Sequence, residues 1–257
     1  VSFEASIDRY LRLSDEQEDL LHKFSRAYLV QGSAGTGKTT LALFYALNVY
    51  ERNPDDLVFL FTYHDELACV CRSYKVNLVG SEPLADESGG VQVFSYLEFC
   101  RQYLRSNLGE GRQWLTRQSS ISILNKIISA KSRWARSYDA EGFYSLIYSF
   151  LKGRFVPGTD RLPVDKEDYS RIFKDYGSVP GDLEDILEVF SNYDKTLKGL
   201  KRYDEADLIR LSYTNQKQRS LPLVNQRAPW IVIDEIQDFT ELEWKSIMLF
   251  WENQCRY

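Results

Sequence analysis

Lys38, Thr39, Asp234 and Glu235 are the residues of this sequence best equipped for chemistry on phosphate. Lys38 and Thr39 close the run Gly32-Ser33-Ala34-Gly35-Thr36-Gly37-Lys38-Thr39, with Thr40 next, which meets the spacing G-x-x-x-x-G-K-[ST] at every fixed position. Glycines let successive backbone N–H groups converge on phosphate oxygens. Lys38 is placed to reach β- and γ-phosphates, and the Thr39 hydroxyl to ligate Mg²⁺. The bland reading is a glycine-rich turn before a core helix. Far along the chain, Asp234 and Glu235 follow the apolar run Trp230-Ile231-Val232-Ile233. The two acids can divide the labour: Asp234 holds Mg²⁺, directly or through water, and Glu235 polarises an attacking water as general base. Two carboxylates and a metal are costly to assemble unless phosphates and Lys38 balance the charge, so the pair makes sense beside a nucleotide.

These residues need elements to hold them. Ala27–Val30 reads as a short buried strand entering the loop, and Thr39–Tyr50 as an apolar helix leaving it. Leu57–Thr62 is a continuous apolar run, the pattern of a parallel strand buried on both faces. Residues at the C-terminal end of such a strand face the ligand side of an open α/β sheet, which makes Thr62, Tyr63 and His64 site candidates. The alternative for His64 is a surface residue at the start of a helix running to about Val76. Val91–Val93 is a further short strand, and Ser95 is the expected cap of the helix that follows. Between Arg101 and Leu200 the strand–helix rhythm stops, and segments around Ile121–Trp134, Tyr144–Leu151, Tyr169–Phe173 and Leu183–Leu197 read as helices. Trp230–Ile233 is the last strand, and a helix from about Thr240 to Trp251 follows it. The fold expected is α/β: a P-loop NTPase parallel sheet flanked by helices, with a mostly helical inserted subdomain.

Ser14 and Gln17 have capping-box spacing at a helix start. Gln17 has a second reading, because a carboxamide can pair with the N7 and N6 edge of adenine. Gly111–Tyr138 carries six Lys or Arg residues and no acid, with Trp114 and Trp134 interleaved. That bias fits a nucleic-acid backbone contact with stacking, or else a solvated helix face with its tryptophans in the core. The net charge of −5 argues against non-specific nucleic-acid binding over the whole surface. Four cysteines without C-x-x-C spacing or a histidine cluster make a zinc site improbable and read as free buried thiols. No signal peptide and no run long enough to cross a bilayer are found, which points to a cytoplasmic protein.

Together these blocks resemble the UvrD/Rep-like branch of superfamily 1 DNA helicases. LSDEQEDLL around Gln17 is similar to the family's Q motif, GSAGTGKTT to motif I, FLFTYHDEL (Phe59–Leu67) to motif Ia, and VQVFSYLEF (Val91–Phe99) to the next block. VIDEIQDF (Val232–Phe239) is similar to motif II, and YDEADL (Tyr203–Leu208) to the D-x-x-D-L segment before it. The resemblance implies a RecA-like ATP-binding domain over 1–100 and 201–257, with 101–200 as the helical insertion. It implies ATP and Mg²⁺ as cofactors, Gln237 coupling the γ-phosphate to DNA contacts, and Thr62, Tyr63, His64, Phe94, Ser95 and Tyr96 near single-stranded DNA, or RNA. Motif Ia departs from the family, since Asp65 and Glu66 stand where a lysine is expected. The chain ends one helix after motif II, so the resemblance implies a longer protein with a C-terminal RecA-like partner domain. The alternative is a regulatory nucleotide switch of the same fold that does not unwind DNA.

Overall fold

Leu57–Thr62 (β1) is buried at every position because neighbours cover it on both edges. Gly90–Ser95 (β2) pairs with it in parallel from Leu57↔Gly90 to Thr62↔Ser95. Trp230–Ile233 (β5) pairs in parallel on the other edge, from Val58↔Trp230 to Phe61↔Ile233. Parallel strands need long crossovers, and helices make them here. The computed structural model describes residues 13–23, 28–33, 35–79, 90–105, 113–130, 139–177, 182–218 and 229–255. It divides into two compact units. The first comprises Val1–Phe99, Arg219–Phe239 and Met248–Tyr257; the second comprises Cys100–Gln218 and Thr240–Ile247.

In the first unit, Asp15–Leu21 (α1) precedes the glycine loop, Lys38–Arg52 (α2) follows it, and Asp65–Val79 (α3) follows β1. Leu43, Ala46, Leu47 and Val49 of α2 pack on Val58 and Leu60 of β1 and Val91 and Val93 of β2. A second apolar layer is aromatic. Phe59 and Phe61 meet Phe99 at 6.1 and 5.1 Å, and Phe250 closes on Phe59 at 5.4 Å. The Trp230 indole N–H donates to Asp56 at 3.1 Å and ties β5 to the start of β1. Register follows from this packing: the polar residue after each strand lands at one end of the sheet.

Of the strand expected at Ala27–Val30, the described residues Tyr28–Val30 form none. Ala27 lies outside the described residues, and Tyr28, Leu29 and Val30 are exposed, Leu29 at 69%, with no ladder partner among them. An apolar run carries no pairing information by itself. Beside β5, whose four residues all stay partly exposed, no such partner takes it up.

The second unit is mostly helical. Its elements are Tyr96–Arg105 (α4, which starts in the first unit), Arg117–Ser129 (α5), Ala140–Leu146 (α6), Lys166–Asp175 (α7), Leu183–Gly199 (α8) and Glu205–Gln218 (α9). A two-residue parallel bridge joins Gln113–Trp114 (β3) to Arg202–Tyr203 (β4). α6 runs on into a π-turn over Ile147–Leu151. The unit continues to Gln218, and within it Asp204 and Asp207 hold Lys152 in its core. Of the basic run, Arg112, Lys131, Arg133, Trp134 and Arg136 lie outside the described residues; Trp114 packs on Tyr203 at 5.4 Å. Glu241–Cys255 (α10) is the last element.

Candidate nucleotide site

Two glycines set the loop. Gly35 and Gly37 have φ of 79° and 77°, the left-handed region that other residues enter at a cost. Gly37 is also the N-cap of α2, and no side chain caps that helix end. The first-turn N–H groups of α2 therefore face outward with no acid among them, the arrangement that receives an anion. Gly32 is needed for space: a Cβ there would stand 2.8 Å from the Thr36 hydroxyl, which donates to the Ser33 carbonyl at 2.9 Å. Lys38 folds back along the loop and donates to the carbonyls of Gly32 and Ser33 at 3.2 and 3.1 Å. Ala34 lies outside the described residues. Thr40 is half-buried in the first turn of α2.

Asp234 comes to this loop from the far end of the chain. Its N–H donates to the Phe61 carbonyl at 2.9 Å, which continues the β1–β5 ladder by one residue. Its carboxylate stands beside the Thr39 side chain and within the field of Lys38. The residue is 4% exposed, and its Oδ2 is buried with no hydrogen-bond partner. Burial raises the Asp234 pKa first, Glu235 adds to the rise, and Thr39 and Lys38 oppose it. The same carboxylate helps burial push the Cys71 thiol up to about 11. Cys71 and Cys100 are buried and outside any disulfide; Cys69, expected to be buried, is exposed on α3.

Glu235 has φ 52° and ψ 47°, a left-handed conformation that costs a non-glycine residue of order 1–3 kcal/mol. It opens a single 3₁₀ turn, Ile236–Asp238, and the Gln237 amide donates to its carboxylate. Gln17 makes its capping box, accepting from the Ser14 N–H at 2.9 Å. Its Nε2 donates to the Thr36 carbonyl at 3.0 Å, so the carboxamide also braces the glycine loop.

The six residues expected near nucleic acid divide. Thr62, Ser95 and Tyr96 are buried. Thr62 donates to the His64 carbonyl at 3.1 Å, and Ser95 caps α4 and donates to Asp65. Asp65 is thereby a structural acid. Tyr63, His64 and Phe94 keep exposed surface, with Tyr63 edge-on to His64 at 4.8 Å and to Phe239 at 5.6 Å.

Among the described residues no cluster of three or more His, Cys, Asp or Glu side chains is arranged around a metal. The donors that do converge are oxygens: the Thr39 hydroxyl and the unpartnered Asp234 Oδ2, a set that suits Mg²⁺ with its remaining positions on phosphate and water. No described helix is long and apolar enough to cross a membrane. Sequence reasoning missed Lys152, Arg154 and Tyr176. The one signal for Lys152 was a lysine ending the apolar run Tyr148-Ser149-Phe150-Leu151.

No curated protein matches the sequence. The family described as UvrD/REP helicase N-terminal domain matches residues 13–256, nearly the whole chain. With a glycine loop beside a strand-end carboxylate, and a family match over nearly its whole length, this chain belongs to the UvrD/REP helicase N-terminal domain family.

Proposed function

We propose that the chain binds Mg·ATP between the Gly32–Thr40 loop and Asp234 and hydrolyses it, as the RecA-like ATPase half (1–100 and 201–257) of a DNA helicase or single-stranded DNA translocase. The observation that carries this reading is that Asp234, buried with its Oδ2 unpartnered, continues the β1–β5 ladder to stand beside Thr39 and Lys38. Lys38 exchanges the Gly32 and Ser33 carbonyls for β- and γ-phosphate oxygens, a better partner for an ammonium than two neutral acceptors. The backbone N–H groups from Gly35 to Thr40 receive the phosphate chain. Thr39 and Asp234 Oδ2 hold Mg²⁺, which when bound neutralises charge on the phosphate oxygens. Glu235 accepts the proton of the water that attacks the γ-phosphorus, and Gln237 orients Glu235 through their hydrogen bond. Gln17 reads adenine by exchanging its Thr36 contact for the base edge. The surface of Tyr63, His64 and Phe94, backed by Thr62, Ser95 and Tyr96, meets single-stranded DNA. A second RecA-like domain of the same protein completes the translocating pair.

Calorimetry with Mg·ATP analogues tests the site. Wild type binds, and Lys38→Ala and Asp234→Ala bind at least tenfold more weakly. Equal affinity in either variant would sink the assignment. The acids Asp65 and Glu66 beside Tyr63 favour a second reading, a nucleotide switch that does not move on DNA. Anisotropy with labelled single-stranded DNA separates the two, since a translocase binds it with steep salt dependence.

A further inference from the structure

Among its described residues the second unit carries an arginine without a carboxylate partner. The π-turn Ile147–Leu151 ends at Lys152, and Gly153 follows where any Cβ would lie 2.3 Å from the Tyr148 carbonyl. This tight exit sends Lys152 into the core and leaves Arg154 partly exposed. π-turns of this kind recur at functional sites. Arg154 finds no ion pair or hydrogen bond among the described residues, and its Nε is buried without a partner. Its guanidinium lies instead over two rings, 4.4 Å from the centroid of Tyr176 and 5.5 Å from that of Phe150. Phe150 is itself stacked on Phe173 at 5.8 Å with planes 3° apart, and meets Tyr176 edge-to-face at 5.4 Å. Phe173 is buried, so the tier is anchored at its base, while Tyr176 at its end is 50% exposed.

We infer that Arg154, Tyr176 and Phe150 form a nucleotide platform, on which a base of single-stranded DNA stacks on Tyr176 while Arg154 takes the adjoining phosphate. A nucleotide offers both halves of what this cluster lacks: a π-face for an exposed, anchored ring and an anion for an uncompensated cation. A fatty or purely apolar ligand would leave the guanidinium unpaired, and a carboxylate alone would not use the ring. The inference rests on the DNA-binding reading above but concerns a separate set of residues from Tyr63, His64 and Phe94.

The test is fluorescence anisotropy of the full chain with labelled dT20, at several salt concentrations, with dTMP as competitor. Tyr176→Ala weakens dT20 binding about tenfold, the effect of losing one base–aromatic stack. Tyr176→Phe keeps the ring and binds like wild type. Arg154→Gln weakens binding and flattens the slope of log affinity against log salt by about 0.7, one phosphate contact on a single strand. Photo-crosslinking of a 5-iododeoxyuridine oligonucleotide labels Tyr176. Thermal melts matching wild type show that the variants fold. If dTMP at millimolar concentration displaces dT20, the platform takes a free nucleotide and the strand assignment is overturned. If wild type binds dT20 and folded Tyr176→Ala and Arg154→Gln bind it equally well, the platform is overturned while the DNA-binding reading stands. If wild type does not bind dT20, both fall.

Discussion

Each unit sets one lysine against two acids, and the two trios have opposite characters. In the second unit Lys152 is 1% exposed and donates to Asp204 at 2.8 Å and Asp207 at 2.6 Å. Tyr193 donates to Asp204 at 3.1 Å, and Asp204 and Asp207 form a reciprocal cap at the start of α9. Every carboxylate oxygen of Asp204 and Asp207 accepts at least one hydrogen bond. In the first unit Lys38 spends its donors on two loop carbonyls, Asp234 leaves Oδ2 buried and unpartnered, and Glu235 sits in a strained backbone. The same residue types thus make a satisfied cluster in one place and an unsatisfied one in the other. Satisfaction marks a structural joint; a deficit held in place by the surrounding fold marks a site waiting for a ligand.

The sharpest way to break this contrast is to exchange the two lysines for apolar residues. Lys152→Met leaves Asp204 buried without its cation and lowers the unfolding free energy by about 3–5 kcal/mol, read by urea denaturation. Lys38→Ala changes stability by less than about 0.5 kcal/mol, as a partly exposed side chain should, yet cuts ATP turnover by on the order of 10²–10³-fold. A Lys38 variant that unfolds as readily as the Lys152 variant would erase the distinction.

Protonation sharpens it further. Burial first, then Asp204, raises the Asp207 pKa to about 6 against an ordinary 3.8, with Lys152 opposing. The fold therefore holds this proton more tightly than the unfolded chain does. The stabilisation from that proton is complete below pH 3.8 and is lost as the pH climbs through 6. Lys152, Tyr144 and Tyr193 in the same cluster are raised further from their already high values, and burial first raises the neighbouring Glu205 carboxyl as well, so it adds to the loss in the same direction. Urea midpoints measured from pH 4 to 7.5 should decline for wild type and decline clearly less for Asp207→Asn.

Smaller effects belong to the first unit. Asp234→Asn removes a buried charge whose Oδ2 has no partner, so the melting temperature holds or rises, by up to about 1 kcal/mol of stability, while ATP hydrolysis is lost. Glu235→Gly relieves the left-handed backbone and offsets its own added chain entropy, for a net change within about 1 kcal/mol by denaturation, again with hydrolysis abolished. Were either variant to keep its turnover, the deficit in this trio would be incidental.

Local chemistry was legible in the chain. The glycine loop, its helix, the run Leu57–Thr62 and the Ser14–Gln17 box all lie where spacing and capping put them, because each is fixed by neighbours within a few residues. The strand at Ala27–Val30 was misread, since an apolar run says that a segment wants cover and not what will cover it. Burial of Thr62, Ser95 and Tyr96 was equally out of reach: polar or amphipathic residues at strand ends can face a ligand or cap the next helix, and packing chooses.

What the sequence determined by itself is the set of groups for phosphate chemistry and their order along the chain. Only the tertiary structure decided that Thr39 comes beside Asp234 across almost two hundred residues, that Lys152 points inward, and that Arg154 lies over Tyr176 with no counter-charge among the described residues. The reason is physical. Spacing fixes what a turn or helix start can do, whereas pairing between distant charges depends on which alternatives the closed core has already satisfied.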